Sequence, residues 1–282
     1  MQTITKTVRD TVYIKEIHQL ENEQYVSAKI RGYEMNDEFY PAYGQDSRVK
    51  FLIMHYTALN NDKSLEVLSQ REVSAHYVVN DLRDDVIHIL VSEDQRSWHA
   101  GVSFWNGRNN LNDSSIGIEI VNQGFTENQG QMFFFEFPSY QIQKVGLLAR
   151  NIIERHGIEP QNVLAHSDVA PGRKYDPGAL FPWEELYREF GVGAWFEYHH
   201  YFEFLSQYPY EKQNQKEFIT DVQNALKLYG YNISITGEWD EQTKKVIQAF
   251  QLHFRPANYN GTMDADTWAI LRSLNLKYRT KV

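Results

Sequence analysis

Three short, continuous apolar runs constrain the fold of this chain more than any other feature of its 282 residues. They occupy residues 49–55, 115–121 and 161–166. Apolar runs of this length without polar alternation are typical of strands that are covered on both faces of a sheet. Residues 74–80 and 85–91 are two further strand candidates, joined by a polar turn.

Helical periodicity supplies the layers that would cover such a sheet. Residues 138–157 repeat apolar side chains about every 3.6 residues, between a proline–serine start and a glycine. Residues 64–70 and 182–190 are shorter helix candidates. Because strands alternate with helices, the sequence predicts an α/β domain with a mixed central sheet flanked by helices. We expect this domain at residues 46–195, after an N-terminal extension at residues 1–45 to which no role is assigned.

Composition and rhythm change after the aromatic residues 196–214, which we interpret as a packed linker. An amphipathic helix is predicted at residues 217–229. The motif G-x-x-D-x-x-T then occurs at residues 237–243 and again at 261–267, each time before an apolar helical segment. Its aspartate stands where a helix N-cap would accept hydrogen bonds from free backbone N–H groups. Residues 215–282 are therefore predicted to form a small C-terminal three-helix domain.

The composition argues against several classes of function. The net charge is −9 without a basic stripe, which argues against nucleic acid as a partner. The chain contains no run of about 18 apolar residues that would predict a transmembrane segment. Its first residues lack the apolar core of a signal peptide. It also has no cysteine, so a metal ion would need nitrogen and oxygen ligands, for which ten histidines are available.

His55 and His166 each end one of the apolar runs. If the two strands are adjacent, both imidazoles lie at one edge of the sheet, and Asp176 on the following loop can join them. Two histidines and a carboxylate leave one tetrahedral position open, which is typical of catalytic zinc sites that activate water. A single histidine at a strand end is more often structural, so the spacing alone leaves metal binding open.

Glu119 and Lys174 are the candidate catalytic residues. A glutamate inside an apolar strand is costly unless it has a partner or a function, and beside an activated water it can transfer protons. Lys174, two residues before Asp176, can offer an ammonium group to an oxyanion. The structural alternatives are an arginine partner for Glu119 and a solvated loop charge for Lys174.

The segment at residues 96–112 has tryptophans, glycines and asparagines but no periodicity. Loops this long inside a compact domain tend to be functional, and we expect this one to line a substrate groove. Its candidate contacts with sugar and peptide groups are Trp98, His99, Trp105 and Arg108. For Trp98, a place in the core is an equal alternative.

Three segments resemble the zinc-dependent N-acetylmuramoyl-L-alanine amidases of the type that includes phage T7 lysozyme, AmpD and AmiD. They are FLIMHYTA (51–58), WHAGVSFWNGRNNLNDSSIGIEIVN (98–122) and VLAHSDVAPGRKYDPG (163–178). The resemblance implies Zn²⁺ held by His55, His166 and Asp176, with Glu119 and Lys174 as catalytic residues. An aspartate as third ligand, where phage-type members have cysteine, indicates the AmpD and AmiD branch.

The resemblance also bears on the proton transfer and on the C-terminal domain. The tyrosine of phage-type members falls on Ala75, so we expect Glu119 to transfer the proton. Residues 215–282 resemble the three-helix peptidoglycan-binding domain, and AFQLHFRPANYNG (249–261) is especially similar to the tail of AmiD-like members. Together these features imply the fold of the amidases and peptidoglycan recognition proteins, with peptidoglycan and muropeptides as partners.

The implied reaction is hydrolysis of the amide between the lactyl group of N-acetylmuramic acid and L-alanine, in cell-wall turnover or recycling. Two alternatives remain, a non-catalytic peptidoglycan-binding protein and a zinc peptidase that acts on stem peptides. We expect a monomer in the periplasm or cell envelope. It would be associated with the outer membrane if a lipid anchor has been removed, and a cytoplasmic location is left open.

Overall fold

The structure is a computed structural model that describes residue 44 and residues 46–280. The chain divides into two compact units, Met1–Asp46 and Ser47–Val282. Every element described below belongs to the second unit. The predicted N-terminal extension at residues 1–45, apart from Gly44, lies outside the described residues.

A five-stranded sheet forms the centre of this unit. Its strands are β1 (Phe51–Tyr56), β2 (Tyr77–Val79), β3 (Ile87–Ile89), β6 (Ser115–Ile120) and β9 (Val163–Ala165), in the order β3-β2-β6-β1-β9. β1 is parallel to β6 and β9, β2 is parallel to β6, and β3 is antiparallel to β2. The predicted mixed sheet is confirmed. The three apolar runs form β6, β1 and the edge strand β9, and the apolar side chains of these strands are buried.

Two small hairpins depart from the sequence-based expectation. The segment predicted as one long loop contains β4 (Phe104–Trp105) paired with β5 (Arg108–Asn109). A second hairpin joins β7 (Phe125–Asn128) to β8 (Gln131–Phe134). Its turn residues Gln129 and Gly130 both have positive φ, 50° and 80°, as tight hairpin turns require. Strands this short carry too little periodicity to be predicted from sequence.

Four helices accompany the sheet: α1 (Asn61–Gln70), α2 (Ser139–His156), α3 (His166–Val169) and α4 (Trp183–Phe190). The apolar face of α2, including Ile142, Val145 and Ala149, is buried as its periodicity predicted. The helix ends at Gly157, whose left-handed φ of 64° suits a glycine C-cap. α1 begins earlier than predicted because the Asn60 side chain accepts a hydrogen bond from the backbone of Lys63.

The C-terminal part contains α5 (Tyr198–Ser206), α6 (Lys216–Tyr229), α7 (Glu241–Phe254) and α8 (Ala265–Tyr278). The last three are the predicted helices. Both aspartates of the repeated motif are N-caps: Asp240 and Asp264 each accept a backbone hydrogen bond of 2.8 Å from the threonine three residues later. α5 lies within the predicted linker and packs on α8, where the Tyr201 hydroxyl donates to Asp266.

One hydrophobic core runs from the sheet into these C-terminal helices. The predicted boundaries at residues 45, 195 and 214 stay predictions. None of the helices within the described residues is long and apolar enough to cross a membrane.

Candidate active site

Parallel strand register brings the predicted site residues to one edge of the sheet. In the β1–β6 pair, His55 lies opposite Glu119. In the β1–β9 pair, Met54 lies opposite Ala165, and His166 follows at once as the first residue of α3. Because parallel strands end at the same edge, residues more than 100 positions apart in the chain meet there.

Three donor atoms converge at this edge. The Nδ1 atom of His55 lies 3.0 Å from Nδ1 of His166 and 3.0 Å from Oδ2 of Asp176. Nδ1 of His166 lies 2.9 Å from the same oxygen. All three side chains are buried. Within residues 46–280 this is the one cluster of histidine and acidic side chains with the geometry to hold a metal ion.

The tautomer of His166 follows from its hydrogen bonds. Its Nε2 atom lies 3.1 Å from the carbonyl oxygen of Ala100. A carbonyl oxygen only accepts hydrogen bonds, so Nε2 carries the hydrogen and donates. In the tautomer that carries its hydrogen on Nε2, Nδ1 keeps a lone pair, and this atom faces the other two donor atoms.

The tautomer of His55 is set through His99. The Ser115 hydroxyl donates to the Leu111 carbonyl at 2.7 Å, so its oxygen accepts from Nε2 of His99 at 3.1 Å. Burial lowers the pKa of His99 well below its ordinary value, so the ring is neutral. Its Nδ1 therefore accepts from Nε2 of His55 at 3.0 Å. His55, too, presents an unprotonated Nδ1 to the centre of the cluster.

The pKa values of His55 and Asp176 favour a neutral imidazole and an ionised carboxylate. Burial and the adjacent His166 lower the pKa of His55 to about 4. Burial alone would raise the pKa of the Asp176 carboxyl, but the imidazoles of His166 and His55 hold it well below its usual range. At neutral pH His55 is neutral and Asp176 is ionised, as metal ligands must be.

Glu119 borders the cluster with an unpaired oxygen. Its Oε2 atom is buried without a hydrogen-bond partner among the residues described. Burial and the charge of Asp176 raise the pKa of Glu119 well above its ordinary value, while Lys174 lowers it. No arginine of residues 46–280 pairs with it, so the structural alternative for Glu119 finds no support. Glu119 and Lys174 both line a cavity of about 370 Å³ above the cluster.

The four loop residues that were predicted to contact substrate lie in different environments in the structure. Trp98 lines the cavity with half of its surface exposed, and the Arg96 guanidinium stacks on its ring at 4.1 Å. His99 also borders the cavity, but its ring nitrogens bond His55 and Ser115. These contacts suit a residue that orients His55 more than one that binds substrate.

The interpretation of Trp105 as a groove residue is wrong, whereas that of Arg108 stays a prediction. Trp105 is completely buried, with its ring 4.9 Å from that of Tyr231 and 5.8 Å from that of Tyr229. The hairpin turns it away from the cavity and into the contact with the C-terminal helices. Arg108 is exposed on β5 and does not line the cavity.

Arg173 and Gly117 are structural residues that the sequence interpretation missed. The Arg173 guanidinium donates to the carbonyls of Ala100 at 2.9 Å and Val102 at 2.8 Å, which fastens the loop to the segment carrying the ligands. A Cβ atom at Gly117 would lie 2.5 Å from the His99 ring, so glycine is required for that ring to fit. The glycine inside an apolar strand was the available signal, since it often marks a close approach.

Comparison with known proteins identifies the family. Residues 45–179 match the family model of N-acetylmuramoyl-L-alanine amidases, and residues 215–271 match that of a peptidoglycan binding domain. The N-acetylmuramoyl-L-alanine amidase AmiD of Escherichia coli (strain K12) is 42% identical over 237 residues, covering 82% of this chain and 84% of that protein. The chain belongs to the N-acetylmuramoyl-L-alanine amidase family. The predicted enzyme class, an amidase, is thereby confirmed.

Solved structures of two relatives share the whole architecture. One is the complex of E. coli AmiD with the substrate anhydro-N-acetylmuramic acid-L-Ala-D-gamma-Glu-L-Lys. It has a TM-score of 0.80 and 38% identity, and the match covers 90% of this chain and 98% of that one. The other is AMPDH3 from Pseudomonas aeruginosa in complex with anhydromuramic pentapeptide. It has a TM-score of 0.79 and 38% identity, and the match covers 88% of this chain and 100% of that one. The predicted fold is confirmed by both.

Proposed function

We propose that the chain hydrolyses the amide between the lactyl group of N-acetylmuramic acid and L-alanine, using Zn²⁺ held by His55, His166 and Asp176. The observation that supports this proposal most directly is the convergence of two imidazole Nδ1 atoms and one carboxylate oxygen beneath a cavity lined by Glu119. Two nitrogen donors and one oxygen donor suit zinc and leave a position for substrate or water. When bound, zinc supplies a Lewis acid that activates water and polarises the scissile carbonyl.

Glu119 moves the proton in this proposal. As water adds to the carbonyl carbon, Glu119 accepts the proton that the water releases. As the carbon–nitrogen bond breaks, the same carboxyl donates that proton to the leaving nitrogen of L-alanine. Burial raises the pKa of Glu119, which favours the protonated carboxyl that the second step needs.

Lys174 and Trp98 have supporting roles. The ammonium group of Lys174 lowers the energy of the negative charge that develops on the carbonyl oxygen. The exposed face of Trp98 at the cavity rim offers an apolar surface to a sugar ring or to the stem peptide. Muropeptides with an anhydro sugar are among the expected substrates, since both related structures hold such ligands.

The C-terminal domain would bind the polymer. Its match to a peptidoglycan binding domain supports this role and a location in the cell envelope. Attachment to the outer membrane and a monomeric state stay predictions.

The test is digestion of purified muropeptides followed by mass spectrometry, with bound zinc measured on each variant. Wild-type protein should release intact stem peptides and leave free lactyl carboxyl groups, whereas a stem-peptide peptidase would shorten the stems and a pure binder would release nothing. Glu119→Gln should keep its zinc and lose at least about 100-fold in kcat. The exposed Glu154 provides a matched control, because Glu154→Gln should behave as wild type. His166→Ala should lose the metal, and full occupancy would contradict the ligand set.

A further inference from the structure

The C-terminal domain reaches into the junction between strand β9 and helix α3, where His166 lies. We propose that Tyr231 and His253 are positioning residues for the metal ligand His166, acting through Asp168. The C-terminal domain is then part of the catalytic apparatus as well as a binding module. The inference rests on the proposed metal site and adds to it a group of residues outside the domain that carries the ligands.

Asp168 fixes the start of α3. Its Oδ2 atom accepts a hydrogen bond of 2.8 Å from the backbone N–H of Ala165, the residue that precedes His166. A carboxylate at the third helical position that binds the N-cap N–H is one half of a capping box, and it defines the angle at which the chain enters the helix. The direction of the His166 side chain therefore depends on where the Asp168 carboxylate is held.

Two residues of the C-terminal domain hold that carboxylate. The Tyr231 hydroxyl donates to Oδ1 of Asp168 at 2.5 Å, and Nδ1 of His253 donates to Oδ2 at 2.6 Å. All three side chains are at most 2% exposed. With the Ala165 N–H, Asp168 has three donors and no water-exposed edge. A buried carboxylate requires such partners, so each of them is costly to remove.

The two donors are themselves held by packing. The His253 ring lies between those of Trp183 and Phe254, with centroids 3.8 Å from each. The Tyr231 ring packs against Trp105 of the β4–β5 hairpin. Rings fixed in this way keep their N–H and O–H groups aimed at Asp168, so the link from the C-terminal domain to α3 is rigid.

Further contacts hold the rest of the ligand-bearing segment. A Cβ atom at Gly172 would collide with the Lys245 side chain of α7, and one at Gly178 would collide with Phe134. The Phe134 ring packs against Tyr259 of the C-terminal domain at 5.6 Å. The segment at residues 166–178 therefore contacts the C-terminal domain directly at Asp168 and Gly172. At Gly178 the contact runs through Phe134.

The experiment uses the full-length protein with Tyr231→Phe, which removes one hydroxyl, and His253→Phe, which keeps a stacked ring without the donor. His253→Asn is the rescue variant, because its amide can donate from a position near that of Nδ1. Tyr208→Phe is the control: this tyrosine is also buried, at 6% exposed against 1% for Tyr231, and its hydroxyl bonds Gln213 and the Met263 carbonyl instead of Asp168. Zinc affinity is measured by chelator competition, the Co²⁺ absorption spectrum reports ligand geometry, and kcat and KM are measured on a small anhydro-muramyl peptide.

Both phenylalanine variants should weaken zinc binding about tenfold, the lower end of what loss of an outer hydrogen-bond partner costs a metal site. They should alter the Co²⁺ spectrum and lower kcat with KM little changed, because the C-terminal domain contributes no residue to the lining of the cavity. His253→Asn should recover most of the loss, and Tyr208→Phe should match wild type.

Unchanged zinc affinity and kcat in both phenylalanine variants would overturn the inference alone and leave the C-terminal domain a binding module. An equal loss in Tyr208→Phe would overturn it as well, because the effect would then be general destabilisation. A wild-type protein that binds no zinc would overturn the proposed function and this inference with it.

Discussion

Replacing His99 separates the orienting role of this residue from a role in substrate binding. In His99→Leu, Nε2–H of His55 loses the acceptor that it has at 3.0 Å. The metal-free variant can relax, because His55 can move its hydrogen to Nδ1 and donate to Asp176, which also lies 3.0 Å away. Zinc binding reverses that change and leaves a buried N–H without an acceptor.

The magnitude follows from that unpaired donor. A buried donor left without an acceptor costs about 1–3 kcal/mol. Since about 1.4 kcal/mol corresponds to a factor of ten in an equilibrium constant, zinc affinity should fall by roughly 5- to 150-fold. His99→Asn should lose much less, because its amide oxygen can still accept from His55.

The assay is competition for zinc against a chromophoric chelator, with urea unfolding of each metal-free variant to separate folding damage from ligand damage. KM for a soluble muropeptide is measured on the zinc-saturated proteins. Equal zinc affinity in wild type and His99→Leu would refute the tautomer argument. A raised KM with unchanged zinc affinity would return His99 to the class of substrate contacts.

Three further predictions concern Lys174, His55 and the two tryptophans. Because Lys174 lowers the pKa of Glu119, Lys174→Met should move the acidic limb of the pH profile of kcat/KM to higher pH. An unchanged acidic limb would contradict the electrostatic interaction between Lys174 and Glu119. The pKa of His55 is about 4 in the folded protein and 6.5 ordinarily, so the unfolded state binds more protons between these values. In urea unfolding of the metal-free protein, His55 should therefore contribute a loss of stability of up to about 3 kcal/mol as pH drops from 6.5 to 4, and His55→Gln should reduce the slope by that contribution. Trp98→Ala should raise KM several-fold at unchanged stability, whereas Trp105→Ala should destabilise the fold by about 3–5 kcal/mol; the reverse pattern would contradict their assigned positions.

Local sequence patterns were sufficient for the longer strands and helices and for placing His55 and His166 at strand ends. The apolar runs predicted buried strands because burial on both faces leaves no place for polar alternation. The positions of His55 and His166 could be predicted from the same runs. A residue at the end of a parallel strand lies at the edge that all the parallel strands share, whichever strands are its neighbours. Asp240 and Asp264 were predictable as N-caps because capping involves only the next three residues.

The positions of the two tryptophans and the partners of Asp168 depend on contacts between segments that are distant in the sequence. Trp98 and Trp105 belong to one aromatic loop and look alike in sequence, yet one lines the cavity and the other is buried under Tyr229 and Tyr231. Asp168 carries no signal of its partner His253, 85 residues later. Periodicity and capping are short-range properties of the chain, whereas these pairings depend on how the C-terminal helices pack against the sheet domain. They therefore became visible only in the tertiary structure.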